Sequence, residues 1–180
     1  MSALTKARFA QIVLPRLDEG YRLARWLTGN PTDAEDVVQE ACFRAFRSID
    51  SFTEGNARSW FLTIVRNTAY SWMQRHRPSK LTSIEDLALD ARHEMEIGGT
   101  LSESVETPED ALIAKNQAGE LQRAIEELPV HLRETLVLRE YHELSYREIA
   151  ALQSVPVGTV MSRLAKARHS LLSRAWEGRS

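Results

Sequence analysis

The sequence predicts an all-α protein: two small helical bundles joined by a flexible acidic linker, the C-terminal bundle containing a helix-turn-helix. Three observations lead there. No stretch alternates apolar and polar residues at period two, and apolar residues recur at helical spacing through both ends of the chain. The 180 residues carry 23 Lys+Arg against 25 Asp+Glu, a net charge of -2, but the charge is partitioned by position. Between Ser83 and Asp110 nine acidic residues meet one basic residue, Arg92, giving -8, whereas residues 1–80 are +4 and 111–180 are +2. The acidic stretch holds Gly98, Gly99 and Pro108 and lacks a sustained helical period, so it reads as a linker over 81–114 between units at 1–80 and 115–180.

Composition removes several classes. An apolar share of 43% with 27% charged residues fits neither a disordered polymer nor a membrane protein. No apolar run approaches the roughly 20 residues that span a bilayer, and no signal-peptide core follows Lys6 and Arg8, so a cytoplasmic protein is expected. The single cysteine, Cys42, cannot form an internal disulfide or a zinc site built on two thiolates.

Along the first unit, Leu4–Leu14 is a short helix stopped by Pro15, and Leu17–Leu27 is a second, ended by Gly29-Asn30-Pro31. The pattern Thr32-x-x-Glu35 predicts a capping box for the third helix, whose apolar stripe reads Val38, Cys42, Phe46 and Ile49. Cys42 lies inside that stripe and is expected to be a structural thiol. Asp36, Gln39, Glu40, Arg44 and Arg47 occupy the opposite surface. After a turn at Thr53–Asn56, a fourth helix runs from Ala57 to about His76. Its buried stripe is Phe61, Ile64, Val65, Thr68 and Trp72, and its polar face is Arg58, Thr63, Arg66, Asn67, Tyr70 and Gln74. Four short helices with one apolar stripe each suffice for a bundle. Arg75-His76-Arg77 complements the helix dipole; with Trp60, Tyr70 and Trp72 nearby, the same residues could hold phosphates and stack bases.

The second unit begins with helices at Glu120–Leu128 and, beyond Pro129, His131–Glu143. Ser145-x-x-Glu148 is a second capping box, opening a helix through Ile149, Ala150 and Leu152. A break at Gln153–Pro156 leads into a last helix from about Val157, with apolar positions Val160, Leu164, Ala167 and Leu171. Two helices joined by so short a turn, the second bearing Arg163, Lys166, Arg168 and Arg174, form a helix-turn-helix pattern. From Ser145 to Ser180 six basic residues oppose two acids, a patch that the total charge conceals.

Three blocks carry a resemblance. Asp33–Ala41 (DAEDVVQEA) with Phe43-Arg-Ala-Phe46 and Ile49-Asp-Ser-Phe52 resembles the polymerase-binding helix of bacterial sigma factors of the extracytoplasmic-function (ECF) group. Asn56–Asn67 (NARSWFLTIVRN) is similar to that group's promoter-melting and -10 recognition segment. Leu128-Pro129, Leu144–Ala150 (LSYREIA) and Val155–Leu164 (VPVGTVMSRL) with Ala167-Arg168 are similar to its -35-reading domain. The match runs in the family's order over nearly the whole chain.

The resemblance implies a non-catalytic subunit that takes RNA polymerase core enzyme to promoters, needs no cofactor or metal, and is held inactive by an anti-sigma factor. It places Asp36, Gln39 and Glu40 against the polymerase's largest subunit. It places Phe52, Trp60, Arg66, Asn67 and Tyr70 at the -10 element, where the Asn67 amide would capture a flipped base, offering both donors and an acceptor to an exposed edge. Met161, Ser162, Ala165 and Lys166 would lie nearest the -35 base edges, while Arg163 and Arg168 would hold phosphates. Ser154 stands where the family has a turn glycine, Gln153 where it has leucine, and Met161 where it has a basic residue. A thioether can touch a thymine methyl but cannot read guanine by charged hydrogen bonds. The family's linker runs through a basic RNA exit path, so the -8 segment is expected to mimic nucleic acid there and to weaken binding of free DNA.

Two other readings compete. An ordinary helix-turn-helix regulator with a helical sensor domain predicts duplex binding without polymerase, but does not require the Asp33–Phe52 block together with Trp60–Asn67. An enzyme fits worst: His76, His93, His131, His142 and His169 form no ligand-spaced pair, and no glycine-rich phosphate loop occurs.

Overall fold

The computed structural model describes residues 3–53, 55–79, 81 and 118–177. The linker assigned to 81–114 therefore lies, apart from Leu81, outside the described residues, as does its proposed mimicry. The described residues contain helices and no strand: α1 (Ala3–Ile12), a 3-10 turn (Leu14–Arg16), α2 (Leu17–Thr28), α3 (Pro31–Ser48), a 3-10 turn (Ile49–Ser51), α4 (Ala57–His76), a helical stretch α5 (118–126), α6 (Val130–Glu140), α7 (Tyr146–Gln153) and α8 (Val157–Glu177).

The first four helices form a bundle in which α2, α3 and α4 pack on one another. Gly29 closes α2 in the left-handed conformation at φ 74°, with its N–H on the Arg25 carbonyl, a common helix ending. The cap of α3 differs from the expected Thr32 box. Asn30 is the N-cap, its side chain accepting from the Asp33 N–H, and Pro31 fills the first helical position, where no N–H is needed. The buried stripe is also displaced: Ala34, Val37, Ala41, Ala45 and Ile49 are fully buried, while Val38, Cys42 and Phe46 are half-buried at its edge. Small alanines let α3 sit close to its neighbours, so the larger residues flank the contact. Close approach recurs at Gly20, where a Cβ would meet the Phe61 ring at 2.8 Å. In α4, Phe61, Leu62, Val65, Thr68, Ala69 and Met73 are buried, and the expected Ile64 and Trp72 are partly so.

In the C-terminal half, α6 and α7 pack on α8 around Val160, Leu164 and Ala167, as the spacing predicts. The Ser145–Glu148 capping box forms in full. Ser154 adopts the left-handed conformation at φ 55°, ψ 46°, so the turn keeps its geometry without glycine. The two halves are in contact: α6 packs on α2, and α7 on α4. As a result nine consecutive residues of α6, Val130–Leu138, are buried on every side.

Candidate functional site

Three surfaces hold the residues singled out by sequence. On α3, Asp36, Gln39 and Glu40 are exposed together on the face away from the bundle. Asp36 and Gln39, with Glu35, border an open concavity whose floor is Leu17, Tyr21, Val38 and Cys42. Glu40 accepts from Arg44 Nε at 2.8 Å, an exposed i, i+4 pair of small energetic weight. Burial pushes the Cys42 thiol above its ordinary pKa, in keeping with a packing role. An apolar floor with an acid and amide border suits a partner helix carrying both apolar and basic residues.

The second surface is α4 and the turn before it. Phe52 and Trp60 pack at 4.8 Å between ring centroids, and both are half-buried. Asn67 is exposed and accepts from Arg66 at 3.3 Å. Arg66 also lies over the Tyr70 ring, 4.5 Å from its centroid. Arg66 and Tyr70 are not open to solvent as a polar face would be: both are hydrogen-bonded to Glu134 of α6, a carboxylate with 0% exposure. The Arg66 Nε donates to one carboxylate oxygen, and the Tyr70 hydroxyl to the other at 2.7 Å. Burial raises the Tyr70 hydroxyl well above its ordinary pKa, and the neighbouring Glu134 charge adds to the rise. At the C-terminal end of α4, Trp72 stacks on His76 at 4.4 Å and Arg77 is paired with Asp33 at 2.8 Å.

The third surface is α8 as the second helix of the helix-turn-helix. Met161 and Lys166 are exposed, and Ser162 and Ala165 half-buried, so these four share the outward side near its start. Arg168 is exposed and donates to Glu140 at 2.8 Å. Arg163 departs from expectation. It is 3% exposed, and its guanidinium donates to the Gln153 side-chain carbonyl at 3.2 Å. Gln153, also buried, exchanges hydrogen bonds with the Thr135 hydroxyl. The role of phosphate holder expected for Arg163 is thus corrected: its position on α8 turns it inward, where it ties α6, α7 and α8 together. Gln153 in place of leucine was the available signal, because a buried amide needs polar partners.

Glu134 is the residue that sequence reading passed over. A carboxylate inside the run Val130–Leu138 carries no motif, and its importance depends on α4 packing across it. Further contacts join the halves. Arg58, paired with Glu19 inside the N-terminal half, donates across to the His142 carbonyl; the His142 Nδ1 lies 3.4 Å from Glu19; Arg133 donates to the Leu27 carbonyl at 3.2 Å. Among the described residues, no group of three or more metal-ligating side chains occurs, and no helix is long and apolar enough to cross a membrane.

Comparison with known proteins agrees with this arrangement. Residues 13–78 match the Sigma-70 region 2 family and residues 118–171 match Sigma-70 region 4. The chain is 40% identical over 142 residues to the ECF RNA polymerase sigma-E factor of Escherichia coli K12, covering 77% of this chain and 72% of that protein. It is 33% identical over 168 residues to the ECF RNA polymerase sigma factor SigW of Bacillus subtilis, covering 91% and 86%. Among solved structures, the sigma factor RpoE of Bartonella quintana, in complex with the anti-sigma factor NepR, matches with a TM-score of 0.65 and 26% identity over 92% of this chain and 94% of that one. CnrH, in complex with the cytosolic domain of CnrY, shares the fold with a TM-score of 0.63 at 21% identity, over 96% and 89%. With both regions present in order and identity sustained across the chain, the protein belongs to the ECF RNA polymerase sigma factors, which direct transcription initiation.

Proposed function

We propose that residues 1–80 dock on polymerase core through Asp36, Gln39 and Glu40 and open the -10 element with Phe52, Trp60, Arg66, Asn67 and Tyr70. In this reading residues 115–180 read the -35 element through Met161, Ser162, Ala165 and Lys166, with Arg168 on a phosphate, and 81–114 is the linker. The protein acts in the cytoplasm, catalyses no reaction itself, uses no cofactor, and is held inactive by an anti-sigma factor. The observation that carries the reading is the acid and amide border of α3 beside an apolar floor, in a chain whose other end presents the outward side of a helix-turn-helix. Carboxylates repel DNA, so a chain displaying both surfaces engages a protein and a nucleic acid at once.

The division of labour follows from chemistry. Aromatic rings at Phe52 and Trp60 offer stacking faces to unpaired bases, and the exposed Asn67 amide offers donors and an acceptor. Duplex opening costs a few kcal/mol per disrupted step, which single-strand capture helps offset. Run-off transcription with core polymerase on genomic fragments, with and without this protein, tests the reading. Discrete promoter-dependent transcripts that require the protein support it; duplex binding at physiological salt with no transcript would favour the ordinary regulator instead.

A further inference from the structure

The contact between the halves buries apolar surface and also holds charged side chains contributed by both sides. A boundary that never opens has no need of charge, since apolar residues of similar volume are as stable or more so than a buried ion pair. Here the boundary holds the Arg66–Glu134 pair, Arg58 on the His142 carbonyl and Arg133 on the Leu27 carbonyl. Such a surface resembles interfaces between domains that separate, because each face remains soluble when uncovered. The side chains tied up from the N-terminal half include Arg66 and Tyr70, whose guanidinium and phenol suit a nucleic-acid strand.

We propose that Glu134 is an intramolecular latch: its carboxylate occupies the place of a strand phosphate between Arg66 and Tyr70, so that closure of the two halves and capture of single-stranded DNA exclude each other. This rests on the assignment of Arg66 and Tyr70 to the strand. An ionised carboxylate accepting from a guanidinium and a hydroxyl presents the same acceptor pattern as two phosphate oxygens. Glu134 is fully buried in the closed chain and becomes solvated when α4 leaves α6, so opening frees both partners at once. The latch needs no second protein. It keeps the free subunit from occupying melted DNA, and polymerase, by holding the two halves apart, removes it.

The test uses the full chain in a Cys42→Ser background, with dyes on Gln74→Cys and His169→Cys, two exposed positions in different halves. Energy transfer reads opening, and fluorescence anisotropy with a labelled mixed-sequence DNA single strand of about 20 nucleotides reads capture. Glu134→Gln is expected to raise the open-to-closed ratio about tenfold and to tighten strand binding at least about fivefold, because apparent affinity scales with the competent fraction. In a second arm without dyes, Asn56→Cys and Glu148→Cys, whose native side chains meet at 3.2 Å across the boundary, are joined by a short reducible crosslinker. The bridged chain should lose strand binding about tenfold or more and regain it on reduction; this arm keeps Glu134, so a folding failure of the first variant does not stall the test. Unchanged energy transfer in Glu134→Gln, or a bridged chain that binds the strand undiminished, overturns the latch. Arg66→Ala, made in the Glu134→Gln chain, separates the two ideas: if it leaves strand affinity unchanged, the assignment of Arg66 to the strand fails, and competition at the latch fails with it. If it weakens binding while Glu134→Gln does not open the chain, the latch alone fails.

Discussion

Arg163 offers a sharp test, because its two possible roles move different observables. Arg163→Met removes the bond to Gln153 but leaves the Gln153–Thr135 pair in place. One hydrogen bond to a charged group is worth about 1.5–3 kcal/mol, and the deleted guanidinium no longer needs desolvation, so a net loss of about 1–2 kcal/mol is expected. Gln153→Leu should cost more, about 2–4 kcal/mol, because it strips the buried guanidinium and the Thr135 hydroxyl of a partner together. The double variant should recover at least about 1 kcal/mol of the summed loss, since the two residues act as a pair. Urea unfolding followed by circular dichroism measures all three. The salt dependence of holoenzyme on a promoter found by run-off transcription supplies the second readout. A phosphate contact adds about 0.9 to the log-log slope, and Arg163→Met should leave that slope unchanged. Loss of less than about 0.5 kcal/mol together with a slope shallower by about one would refute the inward role.

Ser154→Gly should stabilise the chain by up to about 1 kcal/mol, seen as a higher thermal midpoint, because Ser154 sits at φ 55° where a Cβ is strained and glycine is not. Asp36→Arg or Gln39→Ala should weaken core binding at least about tenfold in a pull-down and leave helical content unchanged, since both side chains are exposed; Lys166→Ala should alter -35 use without touching core binding. The closed arrangement should loosen as pH falls through about 6.5. Burial depresses the His142 pKa despite the Glu19 hydrogen bond, so separated halves bind the proton more readily, and the contribution present above that range is lost below it. Burial would raise Glu19, but Arg58 and His142 hold it below the usual carboxylate value, so its own contribution fades only at still lower pH. Energy transfer between the halves across a pH series checks this, and His142→Gln should flatten the response. Neutralising the acids between Ser83 and Asp110 should lower core affinity or slow promoter escape and steepen the salt dependence of free DNA binding, as a filter-binding titration would show.

Helix existence and order were legible because periodicity, Gly29, Pro31 and the Ser145–Glu148 box are local signals that survive tertiary packing. The buried stripe of α3 runs one position before the large residues Val38, Cys42 and Phe46 and coincides with the expected one at Ile49, because residue size is a poor guide to burial where alanines at Ala34, Ala41 and Ala45 let helices approach closely. The exposure of Asp36, Gln39 and Glu40 followed from helical spacing, while that of Met161 and Lys166 followed from the resemblance to the recognition helix. The inward turn of Arg163 was also within reach of spacing, three residues after Val160 and four before Ala167 on the buried stripe; the capture of Arg66 and Tyr70 was not, because it depends on Glu134, distant in sequence. A charge pattern states which side chains are polar; which of them meet water depends on the neighbour that arrives.

That α6 sits between α2, α4, α7 and α8 also bears on synthesis. The N-terminal bundle is complete once residue 77 has emerged, yet its cover, beginning at Val130, is made about 50 residues later. At about 5–20 residues per second, the nascent bundle waits several seconds with α2 and α4 uncovered. Glu19, Arg58, Arg66 and Tyr70 make that waiting surface wettable, which suits a chain whose first half folds beside a crowded ribosome before its second half exists.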